Sequence, residues 1–252
     1  MDKNIVYQTN LLARYFSEHR VKWAQFYESE RIVIERLGLD REKTILDVGC
    51  GCGGLGLALN ERFQVAKYTG VEINAQAAEA AGLMNPKARI IRGDILDLSK
   101  DVLKDKHFDV VFSLSCVDWN VRFADMLSSV WDHVAPGGHL ISTFRLTEEA
   151  GCHDLEKSYQ HINFDGALEG ERAAYVVLNA KVLLEQLASF RPSEIDAYGY
   201  WGAPSTTAVT PYKRLCFAAF SIRKRKEGDG AETRSRLDLP TEIMNSLGRA
   251  PR

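Results

Sequence analysis

Between residues 10 and 37, apolar and aromatic side chains recur at helical spacing: Leu11, Leu12, Tyr15 and Phe16, then Trp23, Phe26 and Tyr27, then Ile32, Ile34 and Leu37. Intervals of three and four place such residues on one face, so the pattern predicts two helices that end near Gly38. Beyond Gly38 the period changes. Short apolar runs stopped by glycine or polar residues predict strands over 44–48, 68–73, 89–92, 108–114 and 139–144. Helical stretches over 54–63, 75–83 and 123–134 separate them, the last with Phe123, Met126, Leu127, Val130 and Val134 on one stripe. Pro136-Gly137-Gly138 turns the chain into the fifth strand. Strands alternating with helices of this length predict a parallel sheet covered on both faces.

After residue 145 the rhythm breaks. Residues 147–176 are polar, rich in Glu, His and Tyr, and read as an irregular insertion that extends to about 178. A helix is predicted over 179–190, and two strands over 194–200 and 215–222 are separated by a loop with Pro204 and Pro211. From Arg223 the chain carries dense charge and no aromatics, which predicts a mobile polar tail over 224–252. Its Leu237, Leu239, Ile243, Met244 and Leu247 leave a short docking helix as the other reading. The organisation is therefore a helical cap over 1–41, an α/β domain over 42–223 and the tail.

A chain of 252 residues with 45% hydrophobic and 26% charged residues can build one sizeable core. The net charge of −2 supplies no field to recruit nucleic acid or an anionic membrane, which favours a small-molecule partner. Arg223-Lys224-Arg225-Lys226 is a local basic run, read as a solvated face or as a patch for RNA or protein. Five scattered cysteines without a Cys-x-x-Cys pair argue against a disulfide framework or a zinc site. The opening residues 1–5 lack the layout of a secretion signal, and no apolar run is long enough for a bilayer, so a cytoplasmic location is expected.

The chemistry concentrates at Asp47-Val48-Gly49-Cys50-Gly51-Cys52-Gly53-Gly54, where the first strand runs into a helix. Glycines there permit a sharp turn and let a ligand approach bare backbone. Gly49, Gly51 and Gly54 also satisfy the dinucleotide pattern Gly-x-Gly-x-x-Gly, so the glycines alone do not choose a cofactor. Asp47 does. A carboxylate two residues before Gly49 repels a pyrophosphate, which needs the positive end of the following helix. It welcomes the ammonium and sulfonium of S-adenosylmethionine. Glu72, in Gly70-Val71-Glu72, lies 23 positions after Gly49, where a carboxylate faces a ribose. Asp94, in Gly93-Asp94-Ile95, stands where it can take an adenine amine, with Ile73 and Ile95 covering the ring faces.

The series Ile45-Leu46-Asp47-Val48-Gly49-Cys50-Gly51, Gly70-Val71-Glu72, Gly93-Asp94, Phe108-Asp109-Val110-Val111 and Pro136-Gly137-Gly138 resembles class I S-adenosylmethionine-dependent methyltransferases over about residues 42–146. The resemblance implies a Rossmann-like, doubly wound α/β fold. Its sheet would have seven strands, mostly parallel, with the last inserted antiparallel. It also implies cofactor roles for Asp47, Gly49, Gly51, Glu72, Asp94 and Ile95, with Cys50, Ile73 and Ser113 counted beside them. The acceptor is not named by these motifs.

In open α/β sheets the acceptor site lies at the carboxyl ends of the central strands, which here means the segments after Ser113 and from Arg145 onward. Ser113–Cys116 lacks the Pro-Pro-aromatic run of enzymes that methylate exocyclic base amines, and Cys116 lacks the proline neighbour of cytosine-C5 enzymes. Asp118 and Asn120 find no second pair of acids in Phe144-Arg145-Leu146, so no metal is expected. Trp119 can wall an acceptor pocket; Asp118 reads as a catalytic group at that wall or as a helix cap, and Asn120 as a cap. Arg145 can clamp an anionic group on the acceptor or pair with Glu148 or Glu149. In the insertion, which is the natural lid, Tyr159 is a substrate-binding candidate. His161 is the first candidate for a general base, against the plain reading of a surface histidine. The expected activity is methyl transfer to oxygen or nitrogen of a small soluble acceptor such as a sugar, sugar nucleotide or secondary metabolite. A tRNA or protein methyltransferase, a nicotinamide oxidoreductase and a non-catalytic cofactor-binding subunit are the competing readings.

Overall fold

The computed structural model describes residues 11–98, 102–103, 106–163 and 166–248; the segment 1–5 and the final four residues of the expected tail lie outside the described residues. Two N-terminal helices, α1 (Leu11–Glu18) and α2 (Glu28–Glu35), precede the alternating part. It runs β1 (Thr44–Val48), α3 (Gly54–Phe63), β2 (Lys67–Glu72), α4 (Ala75–Met84), β3 (Arg89–Arg92), α5 (Ile95–Leu98), β4 (Phe108–Ser113), α6 (Phe123–Asp132) and β5 (Val134–Thr147). Then come β6 (Tyr159–His161), β7 (Arg172–Ala174), β8 (Leu178–Asn179), α7 (Ala180–Ser189), β9 (Glu194–Gly202), β10 (Ala208–Val209) and β11 (Leu215–Arg223). β12 (Arg234–Asp238) and α8 (Thr241–Ser246) close the chain.

The central strands alternate their side chains between two cores. Ile45, Val110, Phe112, Ile141 and Ala219 face one layer with Val33 and Ile34 of α2 and Leu59 of α3. Leu46, Val111, Leu140 and Phe220 face the other, with Leu127 and Val130 of α6, Leu183 of α7 and Ile243 of α8. Near-continuous apolar strands are what a sheet covered on both faces requires. The strand order is β12-β9-β11-β5-β4-β1-β2-β3, with β8 beside the end of β5. β11 runs antiparallel between β5 and β9, and the other pairings are parallel. This is the doubly wound α/β architecture with its inserted antiparallel strand. Among the described residues no helix is long and apolar enough to cross a membrane.

Four expectations need correction. The sheet has nine strands among the described residues rather than seven, because β8 and β12 join it. The region expected to be a mobile tail supplies β12 and α8. Leu237, Ile243 and Met244 are buried there, and Arg36 of the segment after α2 holds both Asp196 (2.8 Å) and Asp238 (2.7 Å). The insertion is not irregular: β6 pairs antiparallel with β7 and with β10, forming a separate three-stranded sheet. Pro136-Gly137-Gly138 sits inside β5 instead of before it, beside a register shift opposite Phe108 and Val110.

Candidate active site

At the carboxyl end of β1 the loop turns through left-handed backbone at Gly49 (φ 74°), Gly51 (φ 54°) and Gly53 (φ 81°), a conformation that costs a side-chain-bearing residue energy. A Cβ at Gly49 would meet Cys116 Sγ at 2.6 Å, whereas one at Gly51 would meet nothing within 4 Å. Glu72, at the end of β2, fixes this loop. Its Oε2 accepts from the Gly51 N–H (2.9 Å) and its Oε1 from the Asn74 N–H (2.8 Å). The carboxylate has further acceptor capacity for a ligand hydroxyl. Burial pushes the Glu72 carboxyl up, and these backbone donors pull it back.

Asp47 is 3% exposed and accepts from the Tyr68 hydroxyl at 2.5 Å. Burial pushes its carboxyl up to about 7, against the pull of Tyr68 and of Arg20. Below that pH Asp47 is protonated and loses its attraction for a cation. Cofactor affinity is therefore expected to rise about tenfold from pH 6 to pH 8, as the ionised fraction grows. Titration calorimetry of the wild type and Asp47→Asn at both pH values checks this, and an Asn variant with the same pH slope would assign the effect elsewhere.

A cavity of about 980 Å³ opens over this loop, at the upper end of ligand pockets, which run about 300–1,000 Å³. Asp47, Gly49, Cys50, Gly51, Glu72, Ile73, Asp94 and Ile95 all line it. Asp94 Oδ1 also accepts from the Leu96 N–H (2.9 Å) at the start of α5. Asp118, Trp119 and Arg145 line the same cavity. The acids from three successive strand ends thus share one space with the acceptor candidates.

Three of the expected site residues do not line it. Ser113 is fully buried in β4, below the wall that Leu114, Ser115 and Cys116 form after it. Tyr159 and His161 flank Gln160 on β6; Gln160 lines the cavity, and strand alternation turns its neighbours to the opposite face. Their rings instead meet edge-on at 5.4 Å. His161→Ala is accordingly expected to keep kcat within about twofold, since an off-site substitution touches no step. A loss of tenfold or more in steady-state assays would restore it as a base.

Asp118 is not a helix cap. It pairs with Arg145, at 4–5% side-chain exposure, through Arg145 Nε to Oδ2 (2.9 Å) and Nη2 to the Asp118 carbonyl (2.8 Å). Glu148, the partner considered from sequence, pairs with Arg214 instead. Asn120 is not the cap of α6 either: Arg122 holds the N-cap position, and Asn120, two residues earlier, accepts from the Arg122 N–H through Oδ1 (2.8 Å).

Several lining residues had no strong sequence signal. Arg20 adopts left-handed backbone (φ 61°), bonds Glu30 at 2.8 Å and lies over the rings of Phe26 (4.8 Å) and Tyr27 (5.1 Å). Its carbonyl rests so close to the glycine loop that a Cβ at Gly54 would meet it at 2.2 Å. Cys52 Sγ donates to the Ala13 carbonyl (3.0 Å), a second tie between α1 and the loop. Phe16 of α1 packs with Ile162, Ala173 and Trp119, joining the N-terminal cap to the insertion. Burial pushes the thiols of Cys50 and Cys52 up, so they act as small packing groups.

The inserted antiparallel strand, the glycine loop and the acids at the next two strand ends are arranged as in class I S-adenosylmethionine-dependent methyltransferase domains. Residues 45–138 match the family model of the methyltransferase domain. Trans-aconitate 2-methyltransferase of Deinococcus radiodurans is 30% identical over 112 residues, 44% of this chain and 41% of that protein. The fatty-acid O-methyltransferase of Mycolicibacterium smegmatis is 32% identical over 103 residues, 40% and 36% of the two chains. The chain therefore spans about two fifths of the length of these curated relatives. Among solved structures, 1,6-didemethyltoxoflavin-N1-methyltransferase of Burkholderia thailandensis has the same fold, with TM-score 0.54, 15% identity and 90% and 94% of the chains covered. So does the [4+2]-cyclase SpnF, with TM-score 0.54, 17% identity and 78% and 79% covered. The fold alone thus does not fix the reaction.

Proposed function

We propose that this protein transfers a methyl group from S-adenosylmethionine to an oxygen or nitrogen of a small soluble acceptor, in the class of sugars, sugar nucleotides and secondary metabolites. The observation that carries it is the single cavity running from the glycine loop to Trp119 and Arg145. When bound, the sulfonium supplies a methyl group with a good leaving group. The chain supplies position and dryness. Bare backbone at Gly49, Cys50 and Gly51, beside Asp47, suits the amino-acid end of the cofactor. The Glu72 carboxylate suits ribose hydroxyls, and Asp94 with Ile73 and Ile95 suits adenine. Trp119 and Arg145 take the acceptor, with Asp118 holding Arg145 in place. The cap and the insertion meet at Phe16, Ile162 and Trp119, where they exclude water.

The names of the two relatives give a small acid and a fatty acid as acceptors, which supports a small molecule. The basic run also favours this reading over RNA. Arg223 bonds Asp229, Lys224 bonds the Trp131 carbonyl, and Arg225 bonds the carbonyls of Arg191, Pro192, Ala231 and Glu232. A cytoplasmic setting suits the five unpaired cysteines. Calorimetry with S-adenosylmethionine and NAD, followed by a screen of acceptors for S-adenosylhomocysteine release, tests the proposal. Binding of NAD alone would replace it with an oxidoreductase. Tight S-adenosylmethionine binding without release for any acceptor would replace it with a binding subunit.

A further inference from the structure

Behind the glycine loop, one buried side chain that does not line the cavity grips one that does. Tyr68 lies in β2, two positions before Gly70, which pairs with Asp47 across the parallel ladder. Ile45 pairs with Tyr68 in the same register, so Asp47 and Tyr68 point to one side of the sheet. Gly70, opposite Asp47, has no side chain to compete for it. Gly56, the third residue of α3, makes room on the other flank: a Cβ there would meet Tyr68 Cε1 and Cζ at 2.9 Å. The buried ring can therefore bring its hydroxyl to Asp47 Oδ2 at 2.5 Å.

The proton of that bond stays on the tyrosine. A phenol releases its proton far less readily than a carboxylic acid, and burial beside Asp47 pushes the Tyr68 hydroxyl further up. Tyr68 donates and Asp47 accepts, a charge-assisted bond about twice as strong as its neutral counterpart. Burial opposes the ionisation of Asp47 most, and the Tyr68 hydroxyl is the strongest pull the other way. Arg20, from the segment after α1, adds to that pull, but Glu30 of α2 already pairs with it at 2.8 Å. Glu72 of β2 and Glu30 both oppose a further negative charge, and the nearby Cys50 thiol stays neutral.

We propose that Tyr68 is a positioning residue for S-adenosylmethionine, its hydroxyl holding Asp47 as a carboxylate turned to the cationic amino-acid end of the cofactor. This rests on the methyltransferase reading and gives a role to a side chain that does not itself meet the cofactor.

Tyr68→Phe removes the hydroxyl and keeps the ring. Without the charge-assisted bond, ionisation of Asp47 should move up by about one pH unit from about 7. In calorimetric titrations with S-adenosylmethionine, the variant is then expected to bind about ninefold more weakly than wild type at pH 6. At pH 8 the deficit should shrink to about twofold, following the ratio of the two ionised fractions. Ratios taken at one pH are unaffected by titration of the cofactor itself. Near-wild-type affinity at pH 8 also reports that the variant is folded. In an Asp47→Asn background no carboxylate is left to hold, so Tyr68→Phe should change affinity by less than about twofold. A deficit equal at both pH values, a deficit that survives in the Asp47→Asn background, or no deficit at all would each overturn the role. Failure of S-adenosylmethionine to bind the wild type would instead overturn the methyltransferase reading.

Discussion

Glu72→Ala is expected to weaken S-adenosylmethionine binding by about a hundredfold, the largest cofactor effect of any single substitution here. Hydrogen bonds to a charged group contribute about 1.5–3 kcal/mol each, and every 1.4 kcal/mol is tenfold in affinity. Glu72→Ala gives up two such bonds inside the protein, from the N–H groups of Gly51 and Asn74, besides those proposed to the ribose. The loop that should meet the amino-acid end of the cofactor therefore loses its anchor at the same time as the ribose loses its partner. Glu72→Gln keeps one acceptor oxygen and should lose only about tenfold. Global stability should change less than affinity, because the variant also relieves a carboxylate that burial pushes up. Calorimetry for affinity and thermal melting for stability separate the two. An alanine variant that binds within about threefold of wild type, a difference of under 1 kcal/mol, would remove Glu72 from the site.

The cofactor half of the cavity was legible in the sequence, and the acceptor half largely was not. Asp47, Glu72 and Asp94 are local signals: each ends a short apolar run within two residues of a glycine, so its place at a strand end can be counted. Tyr175 and Gln160 depend on the pairing of β6 with β7 and β10, segments of two or three residues that carry no periodic pattern. Missing that pairing also reversed the faces of β6. His161 and Tyr159 looked chemically apt, yet Gln160 is the residue that lines the cavity. β12 shows a related limit. In Arg234-Ser235-Arg236-Leu237-Asp238 only Leu237 is buried, as befits an edge strand, so its composition matches that of a solvated tail. The order that holds it comes from Arg36, some two hundred positions earlier in the chain. Asp118 and Arg145 were each singled out by place, but their mutual pairing joins the turn after β4 to β5 and has no spacing rule.

That pairing carries the second large effect. Arg145→Met is expected to cost about 3–5 kcal/mol of stability, the range for removing one partner of a buried ion pair. Methionine keeps the aliphatic stem but removes the guanidinium from over Trp119 and Tyr175, so the loss combines that stacking with the bare Asp118, whose carboxylate and carbonyl both lose their donor. Burial already pushes the Asp118 carboxyl up in the wild type while Arg145 pulls it down. Without Arg145 the folded-state value rises further above the unfolded 3.8, so the native variant binds a proton that the unfolded chain has released. Stability then falls as pH rises through that interval. The deficit against wild type should accordingly be larger at pH 8 than at pH 5 in urea unfolding. Adding Asp118→Asn to Arg145→Met removes the bare charge and should recover at least half of the loss, despite deleting a second ionised group. A deficit below about 1 kcal/mol, the range of exposed pairs, with no dependence on pH, would mean that Asp118 and Arg145 are solvated and independent. The acceptor wall would then have no fixed guanidinium to present.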